Sequence, residues 1–239
     1  MTRLFGRKRT HRRHFLAAEA FLLTVGLVLL GWAGYMTCQM LVYSSWQDYK
    51  FEQALQGEQP TLGGYFGFVT EGRAAPRRSE DEQPAANVAP PVKPGRKLLV
   101  DELIGRIEIP RVKVSAVVKE GVDNDTLSRA VGHVPYTALP GEVGNVGVAA
   151  HRDTFFRGLR HVRKGDVIRV ATLDGTYLYE VDSMKIVWPK NVEVLDPTPD
   201  PRITLVTCYP FNFVGKAPKR YIVQGRQVGF EAVSAQARP

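Results

Sequence analysis

Two different hydrophobic patterns divide the chain. An apolar run extends from Phe15 to Tyr43, and Glu19 is its only charged residue. From about residue 98 to 230, apolar residues instead occur in short runs rich in β-branched side chains, bounded by glycine, proline and aspartate. The first pattern is typical of one long apolar helix, and the second is typical of a domain built from many short strands.

The second region predicts an all-β domain. An Asp174-Gly175 pair separates two alternating runs, which favours a tight hairpin turn. Only two short segments, 124–131 and 153–162, look helical. Many short strands with little helix indicate a closed barrel or a sandwich rather than alternating βα units. The candidate strands are GRIEIP, VKVSAVVKEG, GNVGVAAH, DVIRVAT, TYLYEVDSMKIV, RITLVTC and RYIVQGRQV.

The N-terminal apolar run has the length of a membrane span. About 20 apolar residues cross the roughly 30 Å hydrocarbon layer as a helix. Basic residues crowd the preceding segment, so this end is expected in the cytoplasm and the rest of the chain outside it. A cleaved secretory signal is the main alternative, but its apolar region is only about 7 to 15 residues long and ends at a small-residue site. We therefore predict a cytoplasmic tail at 1–14 and a retained single-pass anchor at 15–43 in the inner or plasma membrane.

Charge and composition assign the remaining segments. The net charge of +8 would suit a nucleic-acid-binding protein, but the basic cluster flanks a membrane span, which argues against that function. Residues 44–97 begin with a potential juxtamembrane helix and continue as a linker rich in proline, alanine and charge. About 40 such residues would give a root-mean-square reach of roughly 35 Å. An exported domain is expected at 98–230, followed by a C-terminal tail at 231–239.

The two cysteines are not expected to form a disulfide. Cys38 falls in the apolar span, whereas Cys208 ends the run RITLVTC, where it is either a buried small hydrophobe or a nucleophile. His151 ends the run NVGVAAH in the same way, and reactive residues at strand ends can meet at one rim of a barrel. His161 is expected to be solvated, and His133 is expected to be a loop histidine bonded to backbone. One cysteine with scattered histidines is not a set of zinc ligands, so no metal is predicted.

A cysteine nucleophile needs a base and a stabilised oxyanion. An ordinary thiol with a pKa near 8.5 is only about 3% thiolate at pH 7, and His151 could exchange its proton. Arg220 begins the run after the CYPFNFVG loop, so hairpin pairing with ITLVTC would bring it near Cys208. A guanidinium suits an oxyanion because it stays charged and carries several donors. Without the other two residues, Arg220 would be interpreted as a surface charge on a strand.

These residues also carry a resemblance to a known family. TLVTC followed twelve positions later by arginine, with HRDTFF upstream, resembles the sortase family of cysteine transpeptidases. The run from Val131 to Asp166 is similar to sortases grouped around class D, and the resemblance covers about residues 106–227. It implies a sortase-type closed β-barrel of about eight strands with short helices, preceded by one transmembrane helix.

The resemblance also implies an activity and its partners. A secreted protein would offer a Leu-Pro-x-Thr-like C-terminal sorting motif, which Cys208 would attack to form a thioacyl intermediate. The acyl group would pass to an amine, such as a cell-wall peptide or a pilin lysine, for surface-protein anchoring or pilus assembly. His151 would exchange protons with the two amines, Arg220 would hold substrate and oxyanion, and Thr207 would add a donor near the oxyanion. No cofactor and no calcium site are predicted.

Two other functions remain compatible with the sequence. A hydrolytic cysteine protease would use the same thiol chemistry but transfer the acyl group to water. An inactive peptide-binding barrel would keep Cys208 merely buried, and its thiol would react slowly with alkylating reagents. Tyr136 and Ala150 stand where relatives often have glycine, which bears on substrate preference rather than on the chemistry.

Overall fold

The structure is a computed structural model that describes residues 6–70 and 98–232. The chain divides into two compact units, Met1–Tyr43 and Ser44–Pro239, and each is considered by itself. Residues 71–97, which form most of the predicted linker, and the tail from 233 onward lie outside the described residues.

The apolar run lies within one long helix, α1 (Gly6–Gln56). Its part Ala18–Gln56 is long and apolar enough to cross a membrane, judged by length and composition alone, and it is the one such segment in the part of the chain that the structure describes. The large apolar side chains along this part, among them Leu22, Leu29 and Trp32, are exposed.

Eight strands form a closed barrel in the order β1-β2-β3-β4-β7-β8-β6-β5, which confirms the predicted fold class. The β2–β3 and β4–β7 pairs are parallel and the other pairs are antiparallel. The strands are β1 (Leu103–Ile109), β2 (Val114–Glu120), β3 (Val131–His133), β4 (Asn145–Ala149), β5 (Val167–Thr172), β6 (Gly175–Val187), β7 (Arg202–Tyr209) and β8 (Lys219–Ala232). Helix α3 (Asn124–Arg129) and 3₁₀ helices at Pro110–Val112, Arg157–His161 and Val192–Leu195 lie in the connections.

The barrel interior is a packed apolar core. Ile107, Ile168, Tyr179, Leu205 and Val223, from five different strands, are all fully buried. Buried and less buried positions alternate along β5, so one set of its side chains faces inward, whereas β2 and β4 are buried at most positions.

Strand β3 is the element that the sequence pattern missed. It has only three residues, and its middle residue is Gly132, so it shows no alternation. A Cβ at this glycine would lie 2.2 Å from the backbone oxygen of Gly121, which means that the close approach of the chains requires glycine. The β5–β6 hairpin was predicted correctly, but its two-residue loop is Leu173-Asp174, and Gly175 already pairs with Thr172.

The last residues of α1, 45–56, pack against the barrel wall. Arg106 on β1 donates hydrogen bonds to Glu52 at 2.9 Å and to Asp48 at 3.3 Å. These two carboxylates are one helical turn apart, so they lie on the same face of α1. The side chain of Phe51 is buried, with the guanidinium of Arg106 5.4 Å from its ring centroid. Residues 45–56 are therefore held on the barrel and do not act as a free tether.

Helix α2 (Leu62–Thr70) folds back on this part of α1. The ring of Tyr65 contacts that of Trp46 edge-on with centroids 5.0 Å apart, and the ring centroids of Phe68 and Tyr49 are 5.6 Å apart. Aromatic pairs at these separations stabilise a contact beyond the area that they bury. Residues 45–70 thus form a helical hairpin on the barrel.

Replacing Arg106 with glutamate should lower the free energy of unfolding by about 3 kcal/mol, because it places a third carboxylate in a largely buried cluster. The double variant Arg106→Glu/Glu52→Arg should recover most of this loss, since it restores an ion pair. Arg226 is the matched control: its pair with Glu180 is largely exposed, so Arg226→Glu should cost less than about 1 kcal/mol. Denaturant unfolding measures all three, and equal losses for Arg106→Glu and Arg226→Glu would contradict the docking role.

A second ion pair makes stability depend on pH. Arg111 hydrogen-bonds both carboxylate oxygens of Asp166, and these bonds lower the pKa of Asp166 below its usual value. A carboxyl whose pKa is lower when folded stabilises the fold above its unfolded pKa, near 3.9, and loses that effect as pH falls through the folded pKa. Asp166→Asn should therefore cost about 1 kcal/mol at pH 7. Unfolding measured from pH 7 to pH 3 should show this difference shrinking below pH 4; a constant difference would refute it.

Candidate active site

The carboxyl ends of β4 and β7 lie side by side at one edge of the barrel. Their parallel register runs to Ala149 beside Val206, and the N–H of Ala150 then donates to the oxygen of Val206 at 3.2 Å. His151 lies two residues beyond the end of β4, and Cys208 lies two residues after Val206 on β7. The structure therefore brings both predicted residues to the same edge.

Cys208 and Arg220 are directly paired across β7 and β8. Side chains at directly opposite positions of an antiparallel pair are on the same face, with Cβ atoms about 4.5–5.5 Å apart. Cys208 is partly exposed, unlike a thiol that merely fills a core. The hairpin pairing expected from the sequence thus places the permanently charged Arg220 on the same face of the sheet as Cys208, at the directly opposite position.

The guanidinium of Arg220 is held by backbone rather than by a carboxylate. Its Nη1 donates to the carbonyl oxygens of Lys219, at 3.0 Å, and Ala217, at 3.3 Å. Among the residues that the structure describes, no carboxylate forms an ion pair with it. Its positive charge is therefore not neutralised within the described part of the fold, which suits a site for a developing negative charge.

Thr207 connects the two strands through its side chain, although the resemblance implies a donor near the oxyanion. Its side chain is buried, and its hydroxyl donates to the carbonyl oxygen of Ala150 at 2.7 Å. Because the single hydroxyl proton is used in this bond, Thr207 fixes the backbone immediately before His151.

Arg152 is a residue of this edge that sequence reasoning missed. Its Nη2 donates to the carbonyl oxygens of Phe213, at 2.6 Å, and Gly215, at 3.1 Å. It therefore ties the turn after His151 to the loop that leads from Cys208 to Arg220. The motif HRDTFF contained the signal, since an arginine next to the histidine must lie at the same edge.

His133 belongs to a buried polar pair, not to a loop as the sequence suggested. Its Nδ1 lies 2.6 Å from a carboxylate oxygen of Glu120, and its Nε2 lies 3.0 Å from the oxygen of Ala138. Since a carbonyl can only accept, Nε2 carries a proton. His133 ends β3, whose carboxyl end lies at the edge away from Cys208, so the structure does not bring it to the site.

Removing His133 should affect stability and not catalysis. His133→Ala leaves the carboxyl of Glu120 buried without its partner, so the free energy of unfolding should fall by about 3–5 kcal/mol. The turnover of the folded fraction should stay unchanged. His161 is exposed, and His161→Ala should change stability by less than about 0.5 kcal/mol. A loss of turnover in folded His133→Ala would give His133 a part in the chemistry.

Two further features, a cavity and potential metal ligands, add nothing to the Cys208 edge within the described residues. A cavity of about 330 Å³ lies at the other end of the barrel, lined by residues such as Leu98, Leu139 and Leu173, so it is separate from Cys208. Within residues 6–70 and 98–232, no group of three or more histidine, cysteine or acidic side chains is arranged to hold a metal.

The chain is similar to several known proteins over this region. A family model described as Sortase domain matches residues 107–228. Sortase D of Bacillus subtilis is 29% identical over 211 residues, covering 87% of this chain and 96% of that protein. The structure of SrtA sortase from Actinomyces oris has a TM-score of 0.55 at 32% identity, covering 63% of this chain and 92% of the other. That of a Clostridium perfringens Sortase D5 transpeptidase has a TM-score of 0.51 at 30% identity, covering 56% and 83%.

Proposed function

Because this chain belongs to the sortase family of cysteine transpeptidases, close to class D, we propose that Cys208 carries its chemistry. The substrate is a secreted protein with a Leu-Pro-x-Thr-like C-terminal sorting motif, and the acceptor is an amine of a cell-wall peptide or a pilin lysine. The observation that carries the proposal is the direct pairing of Cys208 with Arg220, at the edge where His151 also emerges.

The reaction has two acyl-transfer steps. The thiolate of Cys208 attacks the carbonyl carbon of the threonine, and the carbonyl oxygen takes the negative charge. As the tetrahedral intermediate collapses, the carbon–nitrogen bond breaks and the imidazolium of His151 gives its proton to the leaving amine. An incoming amine then attacks the thioester, His151 takes its proton, and Cys208 leaves as thiolate.

Arg220 stabilises the tetrahedral intermediates. Fixed donors aimed at a developing oxyanion lower the barrier because they need no rearrangement when the charge appears. The backbone bonds of Arg220 supply that fixation, and its charge is not neutralised by a carboxylate in the described residues. The position of Arg220 opposite Cys208 supports this assignment.

The proposed location is the cell membrane, with the N-terminus in the cytoplasm and the barrel outside. The apolar part of α1 and the basic residues that precede it support a single-pass anchor. An enzyme that acts on exported proteins must itself be on the outer side, and this placement meets that requirement.

The test is direct observation of the thioacyl enzyme. The full chain in detergent is incubated with a library of Leu-Pro-x-Thr-like peptides, and intact-protein mass spectrometry looks for the added acyl mass on Cys208. Adding a primary amine should convert the peptides to amide products. If no peptide acylates Cys208, and Cys208→Ala cleaves peptides as well as the parent, the proposed function is lost.

The two alternatives give different products. A hydrolytic protease would yield free acids in equal amount with and without the amine acceptor. An inactive peptide-binding barrel would bind peptides without cleavage and would react slowly with alkylating reagents. The partial exposure of Cys208 favours a reactive thiol over this last alternative.

A further inference from the structure

The two ends of the barrel carry opposite charge. We define the Cys208 end by the connections 110–113, 150–166 and 210–218, which leave the strands at the edge that holds Cys208. These connections contain eight basic and two acidic residues. One of the two acidic side chains, Asp166, is already bonded to Arg111. The Cys208 end is therefore strongly positive.

The opposite end is negative. It consists of the approach to β1 and the β3–β4 and β5–β6 connections, which are residues 98–102, 134–144 and 173–174, whereas the β2–β3 and β6–β7 connections run between the two ends. These segments contain four acidic residues and no lysine or arginine. The barrel thus has a permanent charge asymmetry along its axis, and such an asymmetry orients a molecule on a charged surface.

Large apolar side chains project from the positive end. Val214 is 95% exposed and Phe213 is 44% exposed, both at the tip of the β7–β8 loop. Trp188 lies outside these connections but adjoins them, because β6 ends beside the start of β8; it is 53% exposed, and the ammonium of Lys219 lies 5.0 Å from its ring centroid. An amphipathic ring beside a lysine is the combination that occurs where proteins meet the lipid headgroups.

The β7–β8 loop is held in place from the neighbouring connection. Arg152 bonds the carbonyl oxygens of Phe213 and Gly215, and the guanidinium of Arg160 lies 5.4 Å from the ring centroid of Phe211. The loop tip is therefore presented by two arginines that themselves belong to the positive end. Apolar contact and positive charge are combined on one surface.

We propose that the Cys208 end binds an anionic phospholipid surface, with Phe213 and Val214 entering the headgroup layer. A soluble anionic polymer would match the charge, but it would leave the exposed apolar side chains in water. Exposed apolar residues such as Leu99 and Tyr136 also occur at the opposite end, but there they lie among carboxylates that an anionic bilayer repels. Of the two ends, it is the Cys208 end that combines positive charge with exposed apolar side chains.

The test measures how deeply two positions lie in lipid. The full chain with Cys38→Ala and Cys208→Ala is reconstituted into nanodiscs, and an environment-sensitive fluorophore is attached at Val214→Cys or, at the opposite end, at Val143→Cys, which replaces a side chain that is 56% exposed. With phosphatidylglycerol present, brominated lipid should quench the label at 214 at least about twofold more than the label at 143. The measurement needs no peptide, so its outcome is separate from that of the acylation experiment.

Reversing the charge of exposed basic residues provides the second part of the quenching test. Arg157, Arg163 and Lys164 are exposed, and the triple variant Arg157→Glu/Arg163→Glu/Lys164→Glu should abolish the extra quenching at 214. The charge-conserving triple Arg157→Lys/Arg163→Lys/Lys164→Arg should keep it. Equal quenching at 214 and 143, or quenching at 214 that does not depend on phosphatidylglycerol, would overturn the proposal. A response to soluble polyphosphate without a response to phosphatidylglycerol would assign the surface to an anionic polymer and would also overturn it.

Discussion

Replacing Cys208 with alanine should lower peptide cleavage and transfer by at least about a thousandfold, because the covalent intermediate can no longer form. The fold should be unaffected. Cys208 is partly exposed at the end of β7, so its removal opens no core cavity. The expected change in the free energy of unfolding is less than about 0.5 kcal/mol.

The other cysteine is the matched control for this experiment. Cys38 is exposed on α1, outside the barrel, and Cys38→Ala should retain full turnover. Initial rates with and without an amine acceptor are measured for both variants and the parent, with circular dichroism to confirm folding. Turnover within tenfold of the parent in folded Cys208→Ala would remove Cys208 from the chemistry.

The parts of the fold that follow from local pattern were predicted from sequence. Seven of the eight strands are predicted because they are short runs rich in β-branched residues and bounded by glycine, proline and aspartate, and Cys208 is a candidate because it ends an apolar run. The position of Arg220 followed from the geometry of a hairpin, in which residues at equal distance from the loop face each other. These inferences need only neighbouring strands.

The parts that depend on distant contacts were not predictable in this way. The pairing of Arg106 with Asp48 and Glu52 joins residues more than fifty positions apart, and nothing in either segment specifies the other. His133 was assigned to a loop because a three-residue strand has no period, and its partner Glu120 lies on a different strand. The charge asymmetry of the barrel can be recognised only once the strand order shows which connections lie at each end.

Replacing Arg220 with lysine should lower kcat/KM about a hundredfold, although the positive charge is kept. Removal of one preorganised oxyanion donor typically costs about a hundred- to a thousandfold in rate. Lysine is a point charge on a flexible chain and cannot reproduce the planar guanidinium of Arg220, which is fixed through Nη1 on the carbonyl oxygens of Lys219 and Ala217. Arg226 lies further along β8 in an exposed pair with Glu180, so Arg226→Lys is the control and should behave as the parent.

The separate values of kcat and KM decide what Arg220 does. If it stabilises the oxyanion, kcat should fall with little change in KM, because that charge exists only in the transition state. If it only holds the bound peptide, KM should rise while kcat stays the same, and its assignment to the oxyanion would be wrong. The rate of Cys208 acylation, followed by mass spectrometry in a single turnover, places the effect in the first step. An unchanged acylation rate with slow transfer to the amine would instead confine the role of Arg220 to the second step.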